Sequence, residues 1–458
     1  MGAPPVDMNK EDSRMNADSL NRRQFLKASG AVAAVAGTGI EGILAAGQAP
    51  AWAQGTTIHM LRWNDFVPAS DTELKTKIVP EAEKALGAKI TLETIGANDL
   101  QPRITAAIQS KAGPDIIMTQ HNWQHLYEGE FGPADVTDVA EKIGKAQGAF
   151  YQQSRDVATS KGRFIAVPWS IVGLQVAYRK SLFIEIGYSK FPDTWETYRE
   201  AGKKLKAKGY PIGQTMGHTF GDAPAFSYPY LWSWGGKEVE KDGKKVVLNS
   251  KETLESVKFM TAFWKDSHDE GGLAWDDSNN NRAFLAGTIC ATLNGASIYI
   301  ESLRKPDQYK TAKGEQMKGD IGHASLPKGP AGQFAYHVPF SHMVMKYSKN
   351  QKPAKDLLAW LGQKENFDKW FVTQKGFSVG STRDWEKHPL WNEDPVMEPF
   401  RQAARLGRAP GFAGQANAKA AEVQTKYILT DMYAKAIQGM AAEESVKWAH
   451  AELQKIYG

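Results

Sequence analysis

"TTIHMLRWNDFVPASDTELKTKIVPEAEKALGAKITLETIG", residues 56–96, sets the fold class. Residues 56–63 form a β-branched and apolar run that reads as a strand. Residues 71–87 repeat apolar positions at helical spacing and end on Gly87, and residues 89–96 read as a second strand. The pattern continues with a helix over 99–113 and a strand in "PDIIMTQ", 114–120. Strands that alternate with amphipathic helices over short connections predict βαβ units and a mainly parallel sheet. Neither of the first two strands is followed by a glycine-rich phosphate loop, which argues against a nucleotide or dinucleotide site.

A second α/β block follows "FIAVPWSIVGLQVAYRKSLF", 164–183. Helices are expected over 194–209, around "YPYLWSWGG" at 228–236 and over 250–271, with strands at "YPIGQTM", 210–216, and inside "NRAFLAGTICATLNGASIY", 281–299. "LPKGPAGQFA", 326–335, is the main Pro/Gly linker. "HMVMKYSKN", 342–350, reads as a strand and turn, and the remainder is largely helical to Tyr457.

Lys and Arg number 56 against 51 acidic residues, an excess of +5 spread along the chain. The basic runs are short and lack interleaved aromatics, so nucleic acid is not an expected partner. Cys290 is the only cysteine, which excludes an internal disulfide, iron–sulfur clusters and c-type haem. It reads as a small buried hydrophobe. The pair His121 and His125 lacks an intervening glutamate and a nearby third ligand, so no metal and no cofactor are expected.

Near the N-terminus, Arg22, Arg23, Phe25, Leu26 and Lys27 in "NRRQFLKASG", 21–30, resemble a twin-arginine export signal, with Asn21 where Ser or Thr is usual. A Gly/Ala-rich run and "AWA", 51–53, complete the n-region, h-region and cleavage-site order, so residues 1–53 are expected to be a removed signal peptide and the destination periplasmic. Glu41 and the glycines of this run argue against a membrane span. Met15 is an alternative start.

Seven stretches occur in the order found in the extracellular solute-binding proteins of ABC importers, in the carbohydrate-binding group that resembles maltose-binding protein. They are "GPDIIM", "AVPWSIVGLQVAYRKSLF", "PDTWETY", "LWSWGG", "FLAGTICATLNGAS", "LPKGPAG" and "YSKNQKPAKDLLAWL". The resemblance implies an α/β, two-lobed periplasmic binding protein fold with a hinge-closing cleft, built from 54–168 with 331–372 and from 169–330 with 373–458. Lobe crossings are expected near 166–172, 325–335 and 372–380. The implied protein is a monomer that binds a sugar or polyol and delivers it to ABC permease membrane subunits. It is not an enzyme. The chain departs from the group at "YHVPFSH", 336–342, and at Ala296 and Ser297 after "NG".

Sugar recognition needs aromatic faces for C–H surfaces and planar polar groups for hydroxyls. Loops at strand ends offer Trp63, Asn64, Asp65 and Phe66, then Gln120, His121 and Trp123, and Trp169 at the first crossing. The second lobe offers His218, Phe220, Asp222, Trp232, Asn294 and the backbone of Gly295, and late loops add His337 and Phe412. Two competing readings are a polyamine carrier, since "RWNDFVP" resembles the opening of such proteins, and an exported hydrolase. The nominated loops carry only Asp65 and Asp222 as carboxylates, against a polycation, and no nucleophile elbow or HExxH motif supports hydrolysis.

Overall fold

The computed structural model describes residues 55–458, so the twin-arginine segment and the cleavage site lie outside the described residues. Strands β1 (Thr57–Trp63), β2 (Lys89–Ile95) and β3 (Ile116–Gln120) match the opening reading, and β1 pairs in parallel with both of the others. The intervening helix starts at Pro68, runs through a π-helical turn at Leu74–Ile78 and ends at Leu86. Gly87 takes the left-handed conformation (φ 66°) that closes it.

Strand β4 (Val167–Val172) joins this sheet, and β5 (Gln175–Arg179) begins another. Strands β6 (Ala291–Asn294) and β7 (Ile321–Ala324) flank β5, both antiparallel to it. Strands β8 (Val338–Val344) and β9 (Ser378–Gly380) return to the first sheet, whose order is β9-β4-β8-β3-β1-β2. Contrary to the expectation of a mainly parallel sheet, β8, β4 and β9 run antiparallel to their neighbours. The reason is connectivity: these strands carry the chain to and from the second sheet instead of closing βαβ crossovers.

The three crossing strands therefore lie side by side. The chain leaves the large sheet through Gly173 and Leu174, re-enters it after 325–337 and leaves again beyond Gly380. The segment 210–216, expected as a strand, contributes only bridges from Ile212 to His268 and Ala291.

Local chemistry explains the helices that carry the second body. Trp195–Ala207 starts at a capping box between Thr194 and Thr197. Asp222–Trp234 is buried from Asp222 to Ser233, as a helix apolar on every face must be. Among the described residues no helix is long and apolar enough to cross a membrane.

Candidate functional site

A small cavity of about 30 Å³ lies between the two sheets, at the crossings. One wall belongs to the large sheet. Trp63 ends β1, Phe340 lies on β8, Phe377 precedes β9 and the partly exposed Phe66 follows β1. Trp63 packs 4.6 Å from Phe340, 5.7 Å from Phe66 and 5.8 Å from Phe220 between ring centroids. Phe377 lies nearly parallel to Trp63, at 16° and 6.4 Å. Val172, Leu174 and Val338 complete an apolar surface drawn from the crossing segments.

The opposite wall is polar. Asp277 accepts the backbone N–H groups of Gly221 at 3.0 Å and Asp222 at 2.8 Å. Asp222 accepts from Asn280 at 2.5 Å and Asn294 at 3.5 Å. Asn294 also donates to Asn281 at 2.6 Å, and the Ser297 hydroxyl donates to the Asn294 carbonyl at 3.0 Å. Burial, reinforced by the charge of Asp277, raises the Asp222 carboxyl well above its ordinary range; burial raises Asp277 to about 6. Gly295 admits the far wall: a Cβ there would stand 2.8 Å from the Phe377 ring.

Of the residues nominated from the sequence, Trp63, Phe66, Phe220, Asp222, Asn294 and Gly295 line this cavity together. The others do not. Asn64 is exposed beside it. Asp65 accepts from Val67 N–H at 2.8 Å and Gln374 at 2.9 Å, bracing a turn. Gln120 donates to the Ala97 carbonyl at 3.2 Å. Trp169 packs into the large sheet's core against Phe367 and Trp370, with the Arg62 guanidinium 5.2 Å above its ring. His218 is exposed, stacked on Tyr427 and paired with Asp431 at 2.7 Å. Trp232 donates to Glu238 at 2.9 Å and packs on Phe412, which borders a separate open groove with Gln153 and Arg408. His337 accepts from Leu174 N–H at 3.0 Å, tying two crossings together.

Two nominated residues bridge the bodies outside the cavity. His121 holds a left-handed φ of 52°. Its Nε2 donates to the Phe220 carbonyl at 2.7 Å while Nδ1 accepts from the Tyr336 hydroxyl. Burial drives its pKa down to about 3, so the ring is neutral, as this pair of bonds requires. Trp123 donates to Gln424 at 2.7 Å.

Asp277, Phe340 and Phe377 escape the sequence reading. Asp277 lies in the polar run "DDSNNN", 276–281, whose density of side-chain acceptors and amides between a helix and a strand was an available signal. Among the described residues no group of three or more His, Cys, Asp or Glu could hold a metal ion.

An aromatic and polar cavity clasped between two α/β bodies joined by three adjacent crossings defines a two-lobed binding protein. The chain belongs to the bacterial extracellular solute-binding protein family, whose profile matches residues 68–366. A twin-arginine translocation signal profile matches residues 19–39, and the protein is periplasmic, exported by that route.

The chain is 28% identical over 186 residues to the diacetylchitobiose binding protein DasA of Streptomyces coelicolor, covering 40% of this chain and 39% of that one. It thus spans about two fifths of that relative's length. It is 21% identical to an erythritol/L-threitol-binding protein of Mycolicibacterium smegmatis, with 69% of each covered. A tagatose-bound ABC transporter solute-binding protein of Thermotoga lettingae shares the fold at TM-score 0.73 and 18% identity, covering 88% of this chain and 100% of that chain. A ribitol-bound one from Agrobacterium radiobacter does so at 0.68 and 21%, covering 88% and 99%.

Proposed function

We propose that the protein is the substrate-binding component of an ABC importer, holding a sugar or polyol in the cavity and handing it to permease subunits. The observation that carries this is the opposition of the Trp63, Phe340 and Phe377 rings to the Asp222–Asn294 network across one cavity. Rings supply faces for C–H surfaces, and the carboxylate and amides supply hydroxyl partners. The bound sugars and polyols named for the structural neighbours, and the ligands named for the relatives, support the same class.

Trp63, Asp222, Asn294 and Gly295 are the nominated residues assigned here to ligand contact, joined by Phe340 and Phe377. The lobes divide at the crossings, the chain acts as a monomer and it performs no catalysis. Melting-temperature screening of the mature chain with monosaccharides and polyols should find a stabilising ligand, since anything that binds only the folded state raises stability. Hydrolysis of a disaccharide, or no shift with any sugar or polyol, would overturn this reading.

A further inference from the structure

Asp222 and Asp277 face the cavity at 5% and 7% exposure, and no lysine, arginine or histidine lines it. Neither forms an ion pair among the described residues. Their oxygens are unequally occupied. Asp277 spends both on backbone N–H groups, and Asp222 Oδ2 takes the two amides, while Oδ1 receives no hydrogen bond. Asp222, a side chain more than nine-tenths buried, thus keeps one carboxylate oxygen without a hydrogen-bond partner at the polar end of a largely apolar enclosure.

We propose that the occupant is an amino sugar or amino polyol whose single protonated amine seats on Asp222; this rests on the carrier reading above and narrows it. Under a neutral polyol the buried pair has no counter-charge and avoids the cost of an unpaired buried carboxylate only by holding a proton. An ammonium supplies that charge, and its bonds to a carboxylate are roughly twice as strong as neutral ones. Phe220, two positions before Asp222 and lining the same cavity, adds a face that attracts a cation. The far wall of Phe66, Val172, Val338, Phe340 and Phe377 holds no carboxylate, so a second ammonium would meet hydrocarbon. That asymmetry selects one amine and rejects a diamine.

Calorimetry on the mature chain at neutral pH tests this with matched probes: glucosamine against glucose, and the 1-amino derivative of sorbitol against sorbitol, with putrescine as the diamine. The amino member of at least one pair should bind tenfold or more tightly than its neutral partner, and putrescine more weakly than either amino probe. Asp222→Asn should erase the difference within that pair. N-acetylglucosamine, whose nitrogen cannot protonate, should lose the advantage of glucosamine on the unaltered protein, which keeps the test independent of how the variant folds. Equal or tighter binding of the neutral members, retention of the advantage by N-acetylglucosamine, or tighter binding of putrescine would overturn the amine assignment alone. Binding by no member of either pair would overturn it too, and the sugar and polyol screen then judges the carrier reading separately.

Discussion

Trp63 and Trp169 both sit where a strand approaches a crossing, and only Trp63 lines the cavity. The side of the strand decides: Trp169 projects from the middle of β4 onto the helix Lys364–Thr373 and buries all but 5% of its surface there. Trp169→Ala should therefore act through stability, at about 3–5 kcal/mol for a large core aromatic, with ligand affinity of the surviving fold little changed. Denaturant unfolding and calorimetry on the same variant separate the two effects. Asp65 makes a different residue-scale prediction. Burial raises its pKa to about 6 from an ordinary 3.8, so the folded protein binds its proton more tightly than the unfolded chain does. That contribution is complete below about pH 4 and is lost as pH rises through 6, up to roughly 3 kcal/mol for two units. Asp65→Asn should be relatively more stable than the parent at pH 7.5 than at pH 4, measured by unfolding at both; a pH-independent difference would refute the account.

At the scale of elements, the crossings set both the cavity and the limits of what could be read beforehand. Strands β1, β2 and β3 and the capped helices were legible because continuous apolar runs and helical periodicity do not depend on distant partners. Strand β8 was read several residues late, at 342, because "YHVPFSH" looks unlike a central strand. Pro339 lacks an N–H, and the ladder to β4 shifts register between Phe340 and Ser341; a bulge makes the proline tolerable. The same misreading hid Phe340 from the site. Asp277 was hidden because its role comes from two backbone N–H groups more than fifty positions away. Trp63, Asp222 and Asn294 were accessible because each begins or ends an element. Gly295 tests the crossing geometry directly. Its missing Cβ is where Phe377 packs, so Gly295→Ala should push that ring into the cavity at about 1–3 kcal/mol. The cost should fall on affinity more than on melting temperature, because the cavity is the free space into which the ring swings.

Across the whole molecule, contacts away from the cavity also hold the two bodies together, and they fix how tightly any ligand is retained. His121 reaches the Phe220 carbonyl and Trp123 reaches Gln424, while the helix Ala418–Thr425 packs over the turn Trp123–Tyr127. If ligand binds the closed arrangement alone, apparent affinity scales with the fraction of unliganded protein already closed. Trp123→Phe keeps an aromatic ring, smaller than the indole, and deletes one interbody hydrogen bond, worth about 1 kcal/mol net. With the unliganded protein mainly open, this should weaken binding about fivefold, since 1.4 kcal/mol is a factor of ten, although no atom of Trp123 lines the cavity. Small-angle scattering should show the parent contracting on saturation with a stabilising ligand, and the variant reaching the same final radius at higher ligand concentration. A variant with unchanged affinity, or a parent whose radius is the same with and without ligand, would mean that this bond belongs to a rigid body and that ligand capture requires no closure.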